Sequence, residues 1–400
     1  MKKAFLLGGK FSDIPFIKAA KRMGYYVITS GNNPNDLGHR FSNEVVLEDY
    51  SNKEAMLDIA KKLKPDLLIP SCDDYSFLTC SYINDYLQIS NFDDFEISKT
   101  IHHKNLWRDF AMKNNINSPK AMSFSNINDA LKNLDKFESK VIVKPIDSAA
   151  GKGVGIIENK NNAKEIINNA FEVSRSKKIV VEEFLEGKRH GFSTIIINKK
   201  VVFYFYDNEQ YNYNPFAVSG TTTSSELDSN SIENLILEIE KIAEILNLKD
   251  GIFHTQTIAR MKNNKMELVI IESCRRCGGD LYAQFVEMAL NVDYPSLVIN
   301  ALIKNKKSFE INPINPPLYR KFFARQCVMS KKCGTLNKIT FKKEIQNNII
   351  DKCMWAKNGD EIKDTARYKA GIIFLEFESK DEMDAKVNSL HKLIDFKLES

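Results

Sequence analysis

Short apolar runs alternate with amphipathic stretches over the first 90 residues. The apolar runs predict strands at Ala4–Leu7, Tyr25–Thr29, Val45–Leu47 and Leu67–Pro70, and apolar residues recur at helical spacing in residues 14–23 and 55–63. Strands separated by helices of about ten residues predict a parallel sheet with crossover helices. We therefore expect an α/β domain over residues 1–90, whose first strand runs into a glycine turn at Gly8.

Beyond residue 90 the pattern predicts further strands with fewer helices between them. Helices are expected at Lys104–Asn114 and Glu233–Leu246, and strands at Val141–Lys144, Ile156–Ile157, Ile179–Val181, Ile195–Ile197, Val201–Tyr206, Ile252–Ala259 and Glu267–Ile271. The short turn around Asn198 predicts a hairpin. The C-terminal region mixes strands and helices without a clear motif.

The composition is that of an ordinary globular protein. The chain has 400 residues, 43% hydrophobic and 27% charged, a length that suits two or three domains of about 100–200 residues each. Its 57 basic and 52 acidic residues leave a net charge of +5. An excess this small and dispersed does not indicate a nucleic-acid-binding surface.

Neither a secretory signal nor a membrane span is indicated. The apolar run near the N-terminus, Ala4–Leu7, has four residues, whereas a secretory signal needs about 7–15. No stretch approaches the roughly 20 apolar residues of a membrane helix. Seven cysteines, an odd number in a long chain, do not suggest a disulfide framework. We expect a cytoplasmic protein.

A glycine-rich loop is the strongest local signal. In VIVKPIDSAAGKGVGI a strand ends at Lys144, and the loop from Ser148 carries Gly151, Gly153 and Gly155. Glycines let a backbone approach a polyanion closely, and a lysine on the incoming strand adds positive charge. The loop is not a Walker P-loop, nor does it follow the first strand of a dinucleotide-binding unit. An ordinary glycine-rich hairpin turn remains the alternative.

The segment VVEEFLEG gives a second, weaker signal. An apolar strand runs into Glu182 and Glu183, followed by Phe184 and Leu185. Such a strand end can present backbone groups to an adenine edge, with the two apolar side chains covering the ring. A plain strand end with solvated acids is the alternative.

Two adjacent strands carry the candidate metal chemistry. His254 and Gln256 lie two residues apart, so they share one face of a strand. Glu272 ends the next strand, and Arg276 follows it. A carboxylate at such a strand end suits Mg²⁺, which takes protein oxygens and phosphate together. The alternatives are a satisfied core histidine and a surface ion pair.

The CxxC pair formed by Cys274 and Cys277 predicts neither zinc nor redox chemistry. A structural zinc site needs two more ligands at suitable spacing. A redox pair is expected at a helix N-terminus in a thioredoxin-like unit. Neither context is present in the sequence.

Taken in order, these segments resemble the ATP-grasp superfamily, most closely its amino-acid ligase and biotin-carboxylase-like branch. The resemblance covers most of the chain. It implies a fold of mixed α/β and α+β class, in which the N-terminal parallel α/β domain precedes an ATP-grasp domain at residues 91–310. A flap subdomain would occupy residues 115–190 or so, and residues 311–400, with Arg325, would form a small C-terminal domain.

The resemblance implies an ATP site built from distant parts of the chain. Lys104 matches a lysine directed at the α-phosphate, and Lys144 matches a second lysine that reaches the phosphates from a strand. Ser148 to Gly155 would form the flexible flap over the β- and γ-phosphates. The adenine hinge would comprise Glu182, Glu183 and Leu185, the last two through backbone groups.

Roles in catalysis and metal binding are implied in the same way. Glu272 matches the acid that bridges Mg²⁺ ions, which Mn²⁺ could replace. Arg276 matches an arginine that holds the acyl phosphate or the substrate carboxylate. His254 could contact the substrate or take a proton from the amine. The polar loop at 213–225 could help to define the substrate pocket.

Three departures from the family pattern affect these expectations. The first metal acid falls at Gln256, which can still offer a carbonyl oxygen. The usual metal-binding asparagine falls at Cys274, and a thiol is a poor Mg²⁺ ligand. The ribose-binding acid falls near Arg189 and has no counterpart. Either one metal binds more weakly, or catalysis has been lost and nucleotide binding remains.

The activity implied is ATP-dependent joining of a carboxylate to an amine through an acyl phosphate, with release of ADP and phosphate. The expected partners are these small molecules, without nucleic acid or membrane. An apolar face on the N-terminal domain would permit a homodimer. One alternative is a non-catalytic, regulatory ATP-binding protein. Another is a carboxylase or formyl transferase like those of the purine pathway.

Overall fold

The computed structural model describes residues 1–148, 151–159, 161–304 and 321–399. The strands are β1 (Lys3–Leu7), β2 (Tyr26–Ser30), β3 (Glu44–Val46), β4 (Leu67–Pro70), β5 (Ala121–Phe124), β6 (Val141–Pro145), β7 (Gly155–Ile157), β8 (Ile179–Glu183), β9 (Lys188–Ile197), β10 (Lys200–Gln210), β11 (Gly220–Thr223), β12 (Gly251–Lys262), β13 (Lys265–Cys274), β14 (Phe322–Val328), β15 (Gly334–Phe341), β16 (Ile349–Met354), β17 (Glu361–Ile362), β18 (Gly371–Phe377) and β19 (Ile394–Glu399).

The helices connect these strands and cover the faces of the sheets. They are α1 (Ile14–Arg22), α2 (Lys53–Leu63), α3 (Asp74–Leu87), α4 (Phe95–His102), α5 (Lys104–Lys113), α6 (Ile127–Lys132), α7 (Ala163–Val173), α8 (Ser229–Ile245), α9 (Tyr282–Leu290), α10 (Tyr294–Leu302), α11 (Lys343–Gln346), α12 (Lys380–Asn388) and α13 (Leu390–Leu393). In the described part of the chain, no helix has the length and apolar character needed to cross a membrane.

The N-terminal strands form the expected parallel sheet, in the order β3-β2-β1-β4. The predicted strands and helices of this region are confirmed to within two residues at each end. Buried side chains of β1, such as Phe5 and Leu7, pack into a core that continues to α9 and α10, where Phe285 and Ile299 lie. The N-terminal unit is therefore packed onto the body of the protein.

A second, antiparallel sheet has the order β5-β8-β6-β7. Helices α6 and α7 supply Ala130, Ile167 and Phe171 to the separate apolar core of this lobe. All four strands lie between residues 121 and 183, inside the span predicted for a flap subdomain. The subdomain boundaries themselves stay a prediction.

The largest sheet has the order β13-β12-β9-β10-β11-β14-β18-β16. Helix α8 packs its apolar face on this sheet, burying Leu235, Ile239 and Ile242. Strands β14, β18 and β16 come from the C-terminal region, and the remaining C-terminal strands form a small sheet, β17-β15-β19. The boundary predicted between residues 310 and 311 lies outside the described residues.

Candidate functional site

A cleft of about 320 Å³ is lined by residues of the sheet β5-β8-β6-β7, of the large sheet, and of helices α3 and α5. Its volume falls within the range of about 300–1,000 Å³ typical of small-molecule sites. The residues singled out from the sequence that line it are Lys104, Lys144, Ser148, Gly151, Glu182, Glu183, Phe184, Leu185, His254, Gln256, Glu272 and Arg276. Gly153 and Gly155 are not among its lining residues. The fold thus gathers these distant residues into one cavity.

Lys104 lies at the start of α5 and points into the cleft. Its Nζ donates to Oε1 of Glu272 at 3.0 Å and to the backbone oxygen of Ser148 at 3.2 Å. Burial alone would lower the pKa of Lys104, but the carboxylates of Glu272 and Asp74 raise it above its ordinary value. The ammonium group therefore stays charged beside the flap.

Lys144, on β6, is held in place by Glu182 on β8. Its Nζ lies 2.7 Å from Oε2 of Glu182. Burial lowers the pKa of Lys144, although Glu182 opposes that change. For Glu182, burial would raise the pKa, but Arg108 and Lys144 together lower it to about 2. The carboxylate of Glu182 is therefore ionised and oriented by two cations, while its proposed place in an adenine hinge stays a prediction.

Arg108 completes this buried network and was not singled out from the sequence. Its Nε and Nη2 donate to the two oxygens of Glu182 at 2.9 and 3.0 Å, and Nη2 also reaches the carbonyl of Ile271 at 2.5 Å. The side chain is 2% exposed. Arg108 follows Lys104 by four residues, so both side chains leave the same face of α5. Its four-residue spacing from Lys104 was the signal by which the sequence could have revealed Arg108.

The described part of the glycine loop packs against the segment between β10 and β11. Gly151 has a φ of +71°, and a Cβ there would lie 2.6 Å from Cβ of Phe216, so the close approach requires glycine. The Ser148 hydroxyl donates to the carbonyl of Lys152 at 2.8 Å, which closes the loop. Residues 149 and 150, which belong to the predicted flap, lie outside the described residues.

The segment that follows β8 has a backbone N–H group without an acceptor in the described chain. The N–H groups of Glu183 and Phe184 donate to carbonyls of Lys120 and Lys140, at 2.9 and 3.0 Å. Within the described chain, no acceptor is found for the N–H of Leu185. A free N–H beside apolar side chains is what recognition of an adenine ring nitrogen needs. The hinge role of Glu183 and Leu185 stays a prediction.

Gln256 and Glu272 are direct partners across β12 and β13. Gln256 donates from Nε2 to Oε1 of Glu209 at 2.7 Å, so its carbonyl oxygen remains available. Together with Glu272 it offers the oxygen ligands that Mg²⁺ prefers. No cluster of three histidine, cysteine or acidic side chains suited to a metal occurs among the described residues. These two side chains therefore fit a metal that is held largely by phosphate oxygens.

Cys274 contributes no metal ligand in its resting form. Burial raises the pKa of its thiol to about 12, and the thiol donates to the carbonyl of Arg276. A protonated thiol is a poor ligand for a hard cation. All seven cysteines of the chain are free thiols.

Arg276 is positioned by Asp74 from the N-terminal unit, a residue that was not singled out from the sequence. Its Nε donates to Oδ1 of Asp74 at 2.7 Å, and the same oxygen is 2.9 Å from Nδ1 of His102. Burial would raise the pKa of Asp74, but Arg276 and His102 hold it well below its ordinary value. The ionised Asp74 therefore anchors the guanidinium at the cleft wall.

His254 lies deeper in the same wall. Its side chain is 8% exposed, and its Nδ1 has no hydrogen-bond partner among the described residues. Burial, aided by the charge of Arg276, lowers the pKa of the imidazole to about 3. His254 is therefore neutral at physiological pH and can accept a hydrogen bond.

The cleft is also lined by Glu209 and Tyr211, which were not singled out from the sequence, and by residues of the predicted pocket loop. Glu209 lies on β10, and Tyr211 lies just after that strand. Phe216 and Thr221 come from the polar loop that was expected to shape the substrate pocket. Arg325, on β14, also lines the cleft. These side chains come from three separate segments, and their meeting depends on the order of the strands in the large sheet.

Comparison with known proteins relates part of the chain to a family of synthetases. Residues 102–211 match the family model described as phosphoribosylglycinamide synthetase, ATP-grasp (A) domain. Formate-dependent phosphoribosylglycinamide formyltransferase of Prochlorococcus marinus (strain NATL1A) is 26% identical over 188 residues, which cover 46% of this chain and 48% of that protein. The chain thus spans about half the length of that relative.

Solved structures resemble the whole chain. The L-amino acid ligase from Bacillus licheniformis superimposes with a TM-score of 0.82 at 18% identity, covering 100% of this chain and 99% of that one. The phosphoribosylglycinamide synthetase from Anaerococcus prevotii superimposes with a TM-score of 0.76 at 21% identity, covering 100% of both chains. Likeness at this identity concerns the fold.

Proposed function

The chain has the ATP-grasp fold and belongs to the ATP-grasp superfamily, and from this premise we propose that it is an ATP-dependent carboxylate–amine ligase. The observation that carries the proposal is the meeting of Lys104, Lys144, Glu272 and Arg276 in one cleft. Two lysines and an arginine suit a polyphosphate and a carboxylate. The acid among them suits a divalent metal.

The nucleotide is proposed to bind between the sheet β5-β8-β6-β7 and the large sheet. The free N–H of Leu185 would donate to the adenine ring, and Phe184 would lie beside it. Lys104 and Lys144 would each contribute a positive charge to the phosphates. The flap from Ser148, packed on Phe216 through Gly151, would exclude water from the reacting groups.

The reaction is proposed to have two displacement steps. A carboxylate oxygen of the substrate attacks the γ-phosphorus of ATP, the bond to ADP breaks, and an acyl phosphate forms. The amine nitrogen then attacks the acyl carbon, and phosphate leaves. Lys144 and Arg276 would stabilise the negative charge that develops on the transferred phosphoryl group. Mg²⁺, held by Glu272 and the carbonyl of Gln256, would supply further charge neutralisation when bound.

His254 is proposed to assist the second step. Attack by an amine leaves a positive charge on nitrogen, and a proton must be removed before the amide is stable. The imidazole is neutral, since its pKa lies at about 3, so its accepting nitrogen is available. A base with so low a pKa is weak. We therefore assign His254 a role in orienting the amine by hydrogen bonding, with phosphate as the final proton acceptor.

A non-catalytic ATP-binding protein is the main alternative, because Gln256 and Cys274 replace two expected metal ligands. It predicts tight ATP binding with no turnover in any mixture of substrates. The ligase predicts ADP release that depends on both a carboxylate and an amine.

A purine-type formyl transferase or carboxylase stays a second alternative, and the N-terminal glycine turn bears on where its substrate would bind. In parallel α/β sheets such a turn is a natural phosphate site. Here the buried carboxylate of Asp13 fills it, accepting from the backbone N–H groups of Lys10 and Cys72 at 2.9 and 3.2 Å. The Ser71 hydroxyl donates to the same carboxylate at 2.7 Å. A phosphorylated substrate would have to bind elsewhere.

The proposed partners are small molecules, and the proposed location is the cytoplasm, in keeping with seven free thiols. Self-association is left open by exposed apolar side chains on and beside edge strand β3, namely Phe41, Val45 and Leu47. Light scattering of the purified chain measures its oligomeric state directly.

The test of the ligase is turnover. Purified protein is incubated with ATP, Mg²⁺ and pairs of carboxylates and amines, including amino acids, formate and bicarbonate, and ADP and phosphate are measured. Lys144→Ala should abolish the turnover, whereas Lys113→Ala, on the exposed side of α5, should not change it. If no pair raises ADP release above the ATP-only rate, the ligase is refuted.

A further inference from the structure

His102 is a buried histidine with a hydrogen-bond partner on each ring nitrogen. It is the last residue of α4, and its side chain has no exposed surface. Its ring is stacked on that of Phe77, with the two centroids 4.9 Å apart. Nδ1 lies 2.9 Å from Oδ1 of Asp74, and Nε2 lies 3.1 Å from the backbone nitrogen of Arg275. The imidazole thus joins α3 to the segment that follows β13.

The two partners of His102 determine which ring nitrogen carries the proton. A backbone N–H group can only donate, so Nε2 accepts from Arg275 and carries no proton. The proton of the neutral ring is then on Nδ1, which donates to the carboxylate of Asp74. A proton on Nε2 would set two donors against each other. The arrangement therefore requires the neutral tautomer with the proton on Nδ1.

Asp74, the first residue of α3, connects His102 with Arg276. Its Oδ1 accepts both from Nδ1 of His102 and from Nε of Arg276, the latter at 2.7 Å. Arg276 also donates from Nη1 to the carbonyl of the adjacent Cys277, at 3.1 Å. Because a carboxylate can turn about its own bond, the hydrogen bond from His102 fixes the orientation of Asp74. Through Asp74 it fixes the direction of the guanidinium on the cleft wall.

The backbone at Arg275 gives His102 a rigid support. The buried guanidinium of Arg275 pairs with Asp93 at 2.7 Å and donates to the carbonyls of Ile252 and Lys249 at 2.7 and 2.6 Å. These contacts hold the segment after β13 against the core. His102 transmits the position of this segment to Asp74.

A second contact joins the same two parts of the chain. Lys104 lies two residues after His102 and donates to Glu272, which lies three residues before Arg275. The junction between α4 and α5 therefore holds the end of β13 at two points, through the Lys104 side chain and through the His102 ring. Lys104 and Arg276, two cations that line the cleft, are thereby fixed relative to each other.

We propose that His102 is a positioning residue of the ligase, which orients Asp74 so that Arg276 is directed at the transferred phosphoryl group. The inference rests on the proposed function and adds to it a residue that is not among those lining the cleft. Small displacements of a catalytic group are costly for the rate. A histidine that only filled the core would affect stability and leave Arg276 in place.

Nitrogen NMR tests the hydrogen-bond pattern without requiring turnover. The chain is labelled with ¹⁵N-histidine, and correlations between ring protons and ring nitrogens identify the tautomer of each of its six histidines. The signals of His102 are assigned by their absence in His102→Gln. We expect a neutral ring with the proton on Nδ1 at neutral pH. A proton on Nε2, in a neutral or a charged ring, would overturn the inference.

Two amide variants separate the two hydrogen bonds of His102. The amide of His102→Asn lies near the place of Nδ1 and can still donate to Asp74. The longer side chain of His102→Gln reaches the place of Nε2 and can replace only the contact with Arg275. His391→Gln is the matched control, because His391 is exposed.

Hydrogen exchange at Nε of Arg276 reports how firmly its side chain is held. This signal is followed in ¹⁵N-arginine-labelled protein and is assigned with Arg276→Lys. Exchange with water should be roughly three- to tenfold faster in His102→Gln, as for the loss of one hydrogen bond. It should be nearly unchanged in His102→Asn and in the control. Equal rates in the wild type and in His102→Gln would overturn the inference.

Nucleotide binding shows whether the orientation of Arg276 matters in the cleft. β,γ-Methylene-ATP and ADP are each titrated calorimetrically in the presence of Mg²⁺. His102→Gln should weaken the triphosphate analogue by roughly three- to tenfold and leave ADP unchanged, because Arg276 is proposed to hold the γ-phosphoryl group. His102→Asn should bind both nucleotides like the wild type. An equal loss for both nucleotides, or no loss for either, would contradict the positioning role.

These measurements distinguish failure of the inference from failure of the ligase. Faster exchange at Arg276 in His102→Gln, with no nucleotide bound by the wild type, would refute the ligase and leave the positioning of Arg276 by His102 intact. ADP release that is equal in the wild type and in His102→Gln would overturn the inference and leave the ligase intact. Should neither amide variant fold, the tautomer of His102 in the wild type decides, and its signals are then assigned with Asp74→Asn.

Discussion

Lys104 and Glu272 form a hydrogen-bonded ion pair at 3.0 Å although 168 residues separate them in the chain. The lysine begins α5, and the acid lies near the end of β13. Burial raises the pKa of Glu272, but Lys104 lowers it below the ordinary value overall. The pair thus keeps a cation and an anion ready in the cleft, one for phosphate and one for a metal.

Replacing Lys104 should separate these two functions. Lys104→Met retains the length of the side chain and removes its charge. We expect ATP affinity to fall by roughly tenfold to a hundredfold, as for the loss of one charge-assisted contact of about 1.5–3 kcal/mol. Calorimetry with β,γ-methylene-ATP and Mg²⁺ measures the change. Lys113→Met serves as the control, and equal affinity in both variants would contradict a phosphate-binding role.

Arg108 should contribute to stability far more than an exposed arginine does. Arg108→Met leaves Glu182 with one cation and leaves the carbonyl of Ile271 without its donor. Loss of one partner of a buried ion pair costs about 3–5 kcal/mol. The control is Arg22→Met, which removes an exposed pair with Asp293 worth about 0–1 kcal/mol.

Urea unfolding of both arginine variants gives the comparison. The fold predicts a much lower midpoint for Arg108→Met than for Arg22→Met. Similar midpoints would mean that the network around Glu182 does not hold the sheet β5-β8-β6-β7 against β13. Loss of catalysis without loss of stability would then assign Arg108 to positioning alone.

Gln256 stands where the family pattern has a metal-binding acid, so restoring that acid tests the metal site. Gln256→Glu places a second carboxylate against Glu209, where the amide now donates at 2.7 Å. Without metal the like charges should lower the melting temperature, and Mg²⁺ should raise it again. Adding Cys274→Asn should tighten Mg²⁺ further by supplying another oxygen ligand. Melting curves in chelator and in Mg²⁺ measure both effects. A melting temperature that Mg²⁺ does not change would contradict the metal site.

Asp207 should make stability fall as the pH rises. Burial, together with the charge of Glu209, raises its pKa from 3.8 to about 8 in the folded protein. The folded state therefore holds a proton that the unfolded chain has released. The stabilisation that this bound proton gives the folded state is fully present below the unfolded pKa of 3.8, and it is lost as the pH rises towards about 8.

Asp207→Asn should flatten that dependence, because an amide oxygen still accepts from the hydroxyl of Tyr282, now at 2.6 Å, and carries no charge. Free energies of unfolding measured in urea across this pH range give the slope. The exposed Asp58→Asn is the control. Identical slopes for wild type and Asp207→Asn would contradict the raised pKa.

Local elements of the fold could be predicted from the sequence because their signals are local. The alternation of apolar runs and amphipathic helices defines the N-terminal parallel sheet. The order of the large sheet has no such signal. There, β14 pairs with β11, placing Arg325 opposite Thr221, and nothing near either residue indicates the other.

The same contrast applies to the site. Lys144 and Glu272 could be proposed from short motifs and their resemblance to a family. Asp74 could not, because it reaches Arg276 from the start of α3, 202 residues away. Glu209 lies on a strand without a recognisable motif, and its contact with Gln256 follows from the order of the strands in the large sheet. Long-range packing determines both.

The path of a carboxylate oxygen tests the ligase most directly. Wild-type protein is incubated with ATP, Mg²⁺ and amino acids whose carboxylates carry oxygen-18, and the phosphate released is analysed by mass spectrometry. The account predicts ADP together with phosphate that contains one labelled oxygen, because the oxygen that attacks the γ-phosphorus leaves with it. Unlabelled phosphate, or AMP and pyrophosphate in place of ADP and phosphate, would contradict it.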